Sequence, residues 1–334
     1  MTDHPAPKSL PGASRDILPF RRGLQLVRPM PSRLPMPTVL RVSRSPHQRI
    51  AHGLPAVCAF TLLARQPLER LANGEGLPAG ELRPHAIHDL RVAARHLRVL
   101  LAAFADCLDA EPVAFLRREL AWLQHRLAAA RDWDIFIQSL ASLVSEDPDT
   151  VWLLAAAQRR RDQAYDTALA VLNNRRYGRL ILRFRFWLDS LDVSDRGEGK
   201  VEDIMSAHLR KHFRKLRQAL RQKNLSDADL HRLRLRMKKV SDIGRLTKPL
   251  YPGGRRRRFI DRLAKAQETL GKRQDAVVGR QLAAELGTLA PEVAQKAIAA
   301  IIERETVRIA KQTGRFEAKS PRLFGLKTFW RKAV

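Results

Sequence analysis

The chain has 334 residues, 45% of them hydrophobic, and its 62 Lys+Arg against 34 Asp+Glu give a formal charge of +28. That length allows one large core or two domains of about 150 residues, and that charge points to a polyanionic partner: nucleic acid, an anionic membrane or polyphosphate. The longest apolar runs, such as AVCAFTLLA at 56–64, are about half of a membrane span, and two cysteines without a CxxC exclude a zinc ribbon or a thioredoxin-like site.

Residues 1–46 hold nine of the 19 prolines with arginines between them. Each proline removes a backbone donor and restricts its predecessor, so this stretch is expected to be a disordered tail. From residue 47 the apolar spacing is helical and no alternating strand pattern is present. Helices are predicted over 50–73, 84–107, 112–129, 132–145, 149–173 and 176–191. LDVSDRGEGKVED (191–203) is a polar, glycine-containing break, which places a linker at 192–202 between a first unit, 47–191, and a second, 203–312. Helices follow over 203–223, 227–248, 254–270, 272–286 and 291–312. Residues 313–334 read as a basic, poorly patterned tail. No secretory signal is expected, and the cysteine usage fits a reducing, cytoplasmic setting.

The segment HDLRVAARHLR at 88–98 carries the chemistry. On a helix, Ile87, Leu90, Ala94, Leu97, Leu101 and Phe104 form one apolar seam. His88, Arg91, Arg95 and Arg98 run one residue behind it, about 100° around the axis. The basic line therefore borders the core and is expected to line a groove. Like charges one turn apart repel by a few tenths of a kcal/mol per pair, so a compensating anion is implied. Arginine forks at steps of about 5–6 Å suit the phosphate oxygens of a linear polymer.

The same pattern returns 143 residues later. His88, Leu90, Arg91, Arg95, Gln124, Leu127 and Asp132 map onto His231, Leu233, Arg234, Lys238, Gln267, Leu270 and Asp275. A single offset joining separate helices implies duplicated bundles with a pseudo-twofold relation. Leu230, Leu233, Met237 and Val240 form the second seam, with His231, Arg234 and Lys238 as its basic line. HLRKH at 208–212 places His208 and His212 one turn apart with Lys215 next on that face. His208, Lys211, His212 and Lys215 are expected to form a third basic wall of the same cavity. Asp132 is expected in the first turn of a helix, where a carboxylate suits the dipole. The RRRR run at 255–258 falls outside the repeated pattern and reads as a solvated helix start.

HDLRVAARHLR followed by LAAARDWD (127–134) resembles the motifs of the CHAD family, the conserved-histidine α-helical domains, as do RRYGRLILRFRFWL (175–188), LHRLRLRMKKV (230–240) and LGKRQDAVV (270–278). The resemblance spans about 50–312. It implies an all-α fold of two four-helix bundles around a basic cavity that binds inorganic polyphosphate, and an association with polyphosphate granules. Matched to the family's motifs, His88, Arg91, Arg95 and Arg98 form the first half-site and His231, Arg234 and Lys238 the second. His96 stands where the family often has a second arginine, and Ser241 and Asp242 where it usually has Arg-Tyr. No ExExK motif occurs, and none of the P-loop, HExxH or GxSxG motifs is present. The expected activity is thus non-catalytic polyphosphate binding, with no metal or cofactor. Nucleic-acid binding through the same charge is the alternative, and a metal-dependent phosphohydrolase the less favoured one.

Overall fold

A computed structural model of the chain describes residues 50–140, 148–191 and 199–330. These residues are all-α, without a strand, and none of their helices is long and apolar enough to cross a membrane. The expected tail at 1–46, most of the linker at 192–202 and the end of the helix predicted to reach 145 lie outside the described residues. The helices are α1 (Ala56–Ala72), α2 (Pro84–Ala103), α3 (Ala110–Arg126), α4 (Ala128–Leu140), α5 (Pro148–Leu172), α6 (Arg175–Ser190), α7 (Val201–Leu220), α8 (Asp227–Leu246), α9 (Gly254–Gly287), α10 (Glu292–Lys319) and α11 (Pro321–Phe324).

Local chemistry sets their ends. Proline opens α2, where its missing N–H costs nothing. Ser226 and Asp229 form a reciprocal capping box at the start of α8, and the Asn174 side chain accepts from the Arg176 amide to cap α6. After α1 the chain turns at Gly74, where an added Cβ would fall 2.7 Å from the Tyr177 hydroxyl. Tyr177 is fully buried, and its hydroxyl donates to the Leu71 carbonyl at the end of α1. The starts of α1 and α7 are tied together by Ala56 N–H to Gly199 O (3.2 Å) and Val201 N–H to Leu54 O (3.0 Å).

The offset of 143 extends beyond the motif helices. It carries α2 onto α8 residue for residue, α3 and α4 onto the two ends of α9, and α5 onto α10. Two separate helices were expected over 254–286, but α9 runs uninterrupted through Gly271. A glycine inside a helix costs about 1 kcal/mol and does not by itself end it. In the first half the chain does break, at Leu127 between α3 and α4.

The expected C-terminal tail is a second difference. Helix α10 continues to Lys319, and Phe316, Leu323, Leu326, Phe329 and Trp330 are all buried. Phe329 and Trp330 pack against Phe259, and Trp330 also against Phe213. The pair Phe186-Trp187 lies 143 residues earlier, and Trp187 packs on Phe60 of α1. The basic residues of 313–330 thus decorate a segment whose aromatics join the hydrophobic core.

The sequence halves are also interlocked. Helices α4 and α5, which the sequence assigns to a first unit ending at 191, pack extensively on α9 and α10. Arg304 of α10 donates to the Ser139 carbonyl of α4 at 3.1 Å, and Arg160 of α5 pairs with Glu285 of α9 at 3.2 Å. Burial of the apolar faces of α4 and α5 is thus shared with the second half, and α4 buries Ala130, Trp133, Phe136 and Leu140.

Candidate functional site

Helices α2 and α8 bury their seams as the spacing predicts: Ile87, Leu90, Ala94, Leu97, Leu101 and Phe104 on α2, and Leu230, Leu233, Met237 and Val240 on α8. The two basic lines then face one cleft of about 540 Å³. Seven pairs of its lining residues are related by the offset of 143: His88/His231, Arg91/Arg234, Val92/Leu235, Arg95/Lys238, Arg131/Gln274, Asp132/Asp275 and Ile135/Val278. Arg98 and Gln124 complete the first-half side. The cleft therefore holds six arginine and lysine side chains, Arg91, Arg95, Arg98, Arg131, Arg234 and Lys238, against two carboxylates, Asp132 and Asp275.

Several forks are held by the protein itself. Arg91 donates to the Gln124 carbonyl at 2.7 Å, and the Gln124 amide returns a bond to the Arg91 carbonyl at 3.2 Å. The Gln124 side-chain oxygen accepts from Arg98 at 2.6 Å. His231 Nδ1 shares a 2.7 Å bond with the Gln274 side-chain oxygen. Gln124 thus holds two arginines of the neighbouring helix α2, a contact that charge patterning alone does not single out.

Asp242 of α8 reaches the basic line of α2. Its carboxylate accepts from Arg95 Nε at 2.7 Å and lies 3.7 Å from His96 Nε2, joining the two halves at the edge of the cleft. Burial opposes the charge of Asp242, but the nearby His96 ring and the hydrogen-bonded Arg95 guanidinium outweigh it and hold the carboxyl below its usual range. Arg95 is therefore partly neutralised before any ligand arrives.

The remaining cations are crowded. Burial holds Arg91 and Arg234 below the usual arginine range, with Asp132 and Asp275 respectively opposing the shift. Burial, then Arg95 and Arg234, pushes Lys238 down to about 8. His88 is lowered by burial and then by Arg131. Asp132 and Asp275 are raised, first by burial, and each lies in the field of the opposing arginines. Asp132 was expected in a first helical turn, but α4 begins at Ala128, so it sits one turn further in and faces the cleft instead of capping the helix.

The expected third wall is not part of this lining. His208, Lys211, His212 and Lys215 lie on α7, and none of them lines the cleft. His208 and His212 meet edge to face, 4.5 Å between ring centroids. Burial and then Lys239 drive them down to about 4 and about 3, so both rings are neutral at physiological pH. Lys211 lines a different pocket with Arg210, Arg214 and Trp330. A helical wheel fixes which residues share a face but not what that face meets. Lys239 and Arg117, in contrast, extend the basic surface next to Arg95 and Arg98.

Fold and cleft together define an all-α protein whose sequence-related halves share one basic groove. The family model that matches is the CHAD domain, over residues 64–284, and the chain belongs to that family. Among solved structures it is similar to the CHAD domain from the plant Ricinus communis, with 24% identity over 84% of this chain and 95% of that one, at a TM-score of 0.73. It is also similar to PptA from Streptomyces chartreusis, with 16% identity over 79% of this chain and 99% of that one, at a TM-score of 0.63. Both likenesses concern the fold. No curated protein matches the chain.

Proposed function

We propose that the cleft binds inorganic polyphosphate without turning it over. The observation that carries this reading is the meeting of two offset-related basic lines in one groove, where six cations face two carboxylates. Such a row of forks and point charges can follow successive phosphates along a polymer. No Phe, Tyr or Trp lines the groove among the described residues. That favours an inorganic chain over single-stranded nucleic acid, which gains about 1–3 kcal/mol per base from stacking on aromatics. On the same reading the protein partitions to polyphosphate granules in cells that store the polymer.

The test is a titration with polyphosphates of graded length against Arg91→Ala combined with Arg234→Ala. A charge-assisted hydrogen bond contributes about 1.5–3 kcal/mol, so the double variant is expected to bind roughly a hundredfold more weakly, with a salt slope shallower by about two. Neutralising the exposed Arg255 and Arg257 serves as the control and is expected to change affinity little. Equal losses from both variants would mean diffuse binding without a site. Displacement of bound RNA by polyphosphate at matched phosphate concentration separates the nucleic-acid reading. Sustained phosphate release with Mg²⁺ or Mn²⁺ that disappears in Arg91→Ala would overturn the non-catalytic part.

A further inference from the structure

The offset relation exposes a second place where the halves differ in charge. In the first half, Glu119 of α3 accepts from Arg176 of α6 at 2.6 Å, and the Arg176 guanidinium stacks over Trp122 at 4.1 Å. Glu119 is buried and held below the usual carboxylate range, chiefly by that hydrogen bond. The slot is filled, and its carboxylate is compensated by Arg176 and, at 3.6 Å, by Arg118. Adding 143 places Arg262 at the position of Glu119, Lys265 at that of Trp122 and Lys319 at that of Arg176. A carboxylate–arginine pair on an indole has become three cations.

The result is an open pocket of about 670 Å³ between α9, α10 and α11, within the range of about 300–1,000 Å³ that small-molecule sites occupy. Arg262, Lys265, Lys272, Arg315, Lys319 and Arg322 ring it, and its one carboxylate, Glu268, is engaged by Lys272 at 2.6 Å. Its floor is different in character: Ala266, Leu323, Thr269 and Gln312 are buried there, offering apolar surface with a hydroxyl and an amide. Six cations converging on one concavity repel one another and are poorly compensated by a single engaged carboxylate. None of these residues lines the groove between α2 and α8.

We infer that this pocket is a second anion site, taking a compact ligand with three or more phosphate charges, whose scaffold rests on the Ala266–Leu323 floor while Arg262, Arg315 and Arg322 grip its phosphates. The inference does not rest on the groove reading, and the experiment separates the two. In the Arg91→Ala, Arg234→Ala background, calorimetry with inositol hexakisphosphate, magnesium-free ATP and inorganic tripolyphosphate is expected to show one remaining equivalent bound. Arg262→Glu with Lys265→Trp and Lys319→Arg rebuilds the arrangement the first half already folds around, and should weaken that equivalent at least tenfold, the effect of about one lost charged hydrogen bond. Should that variant misfold, Arg315→Ala with Lys319→Ala, both exposed, replaces it. Tighter binding of the two organic probes than of tripolyphosphate supports a phosphate ester seated on the floor; equal binding overturns that scaffold contact. No equivalent in the groove-deficient background, or unchanged binding in both pocket variants, overturns the site.

Discussion

The two walls of the groove are built from the same positions of the repeat, yet they carry different charge. The first presents Arg91, Arg95, Arg98 and Arg131. The second presents Arg234 and Lys238, with Ser241 and Gln274 at the places of Arg98 and Arg131. The second also supplies Asp242, at the place of Val99, and spends it on Arg95 of the first wall. Offset-related positions line both sides of the groove, but one wall is the stronger cationic face and the other supplies the carboxylate that neutralises part of it.

The largest test of this asymmetry is on stability. Arg95 and Lys238 are offset partners, but Arg95 compensates a buried carboxylate while Lys238 is buried among like charges. Removing one member of a buried pair strands the other, at a cost of about 3–5 kcal/mol. Arg95→Ala is therefore expected to lower unfolding stability by about 3 kcal/mol in urea denaturation, with part of the loss recovered by adding Asp242→Asn. Lys238→Met is expected to leave stability unchanged or raise the Tm. Equal destabilisation by the two would erase the distinction between the walls.

A smaller effect should come from evening out the charge. Gln274→Arg gives the second wall the arginine that its counterpart has at 131, and one added phosphate contact should tighten polyphosphate binding about tenfold and steepen the salt slope by about one. A titration at two salt concentrations measures both.

The smallest expected effect is on pH dependence. With Lys238 held at about 8 in the fold, raising the pH from 7 to 9 removes a charge from the second wall, and affinity should fall several-fold. Lys238→Arg should flatten that profile, since arginine keeps its proton throughout. The sign for stability is opposite. An amine held below its free value of 10.5 costs stability while charged, so that cost is full below about pH 8 and fades as pH rises towards 10.5.

The seams, the basic lines and their shared offset were legible because helical periodicity and a constant spacing are properties of the chain itself. The groove followed from the border position of Arg91 and Arg234, one residue behind each seam. The pairing of Arg95 with Asp242 was not legible, because the partners are 147 residues apart and meet only through the packing of α2 on α8. The absence of His208, Lys211, His212 and Lys215 from the groove lining was hidden for the related reason that the rotation of α7 is set by its neighbours. The buried C-terminal segment did leave a signal: the Phe-Trp pair at 186–187 recurs at 329–330 under the same offset. It was masked by the surrounding basic residues and by the break at Ser320 and Pro321.

The interlocking of α4 and α5 with α9 and α10 bears on how the protein is made. During synthesis the N-terminal half leaves the ribosome first, but part of the packing around α4 and α5 is encoded more than a hundred residues downstream. Until α9 and α10 emerge, the side of α4 and α5 that meets them stays uncovered. Nascent chains stalled just after residue 191 should therefore recruit chaperones more strongly than chains stalled past residue 320.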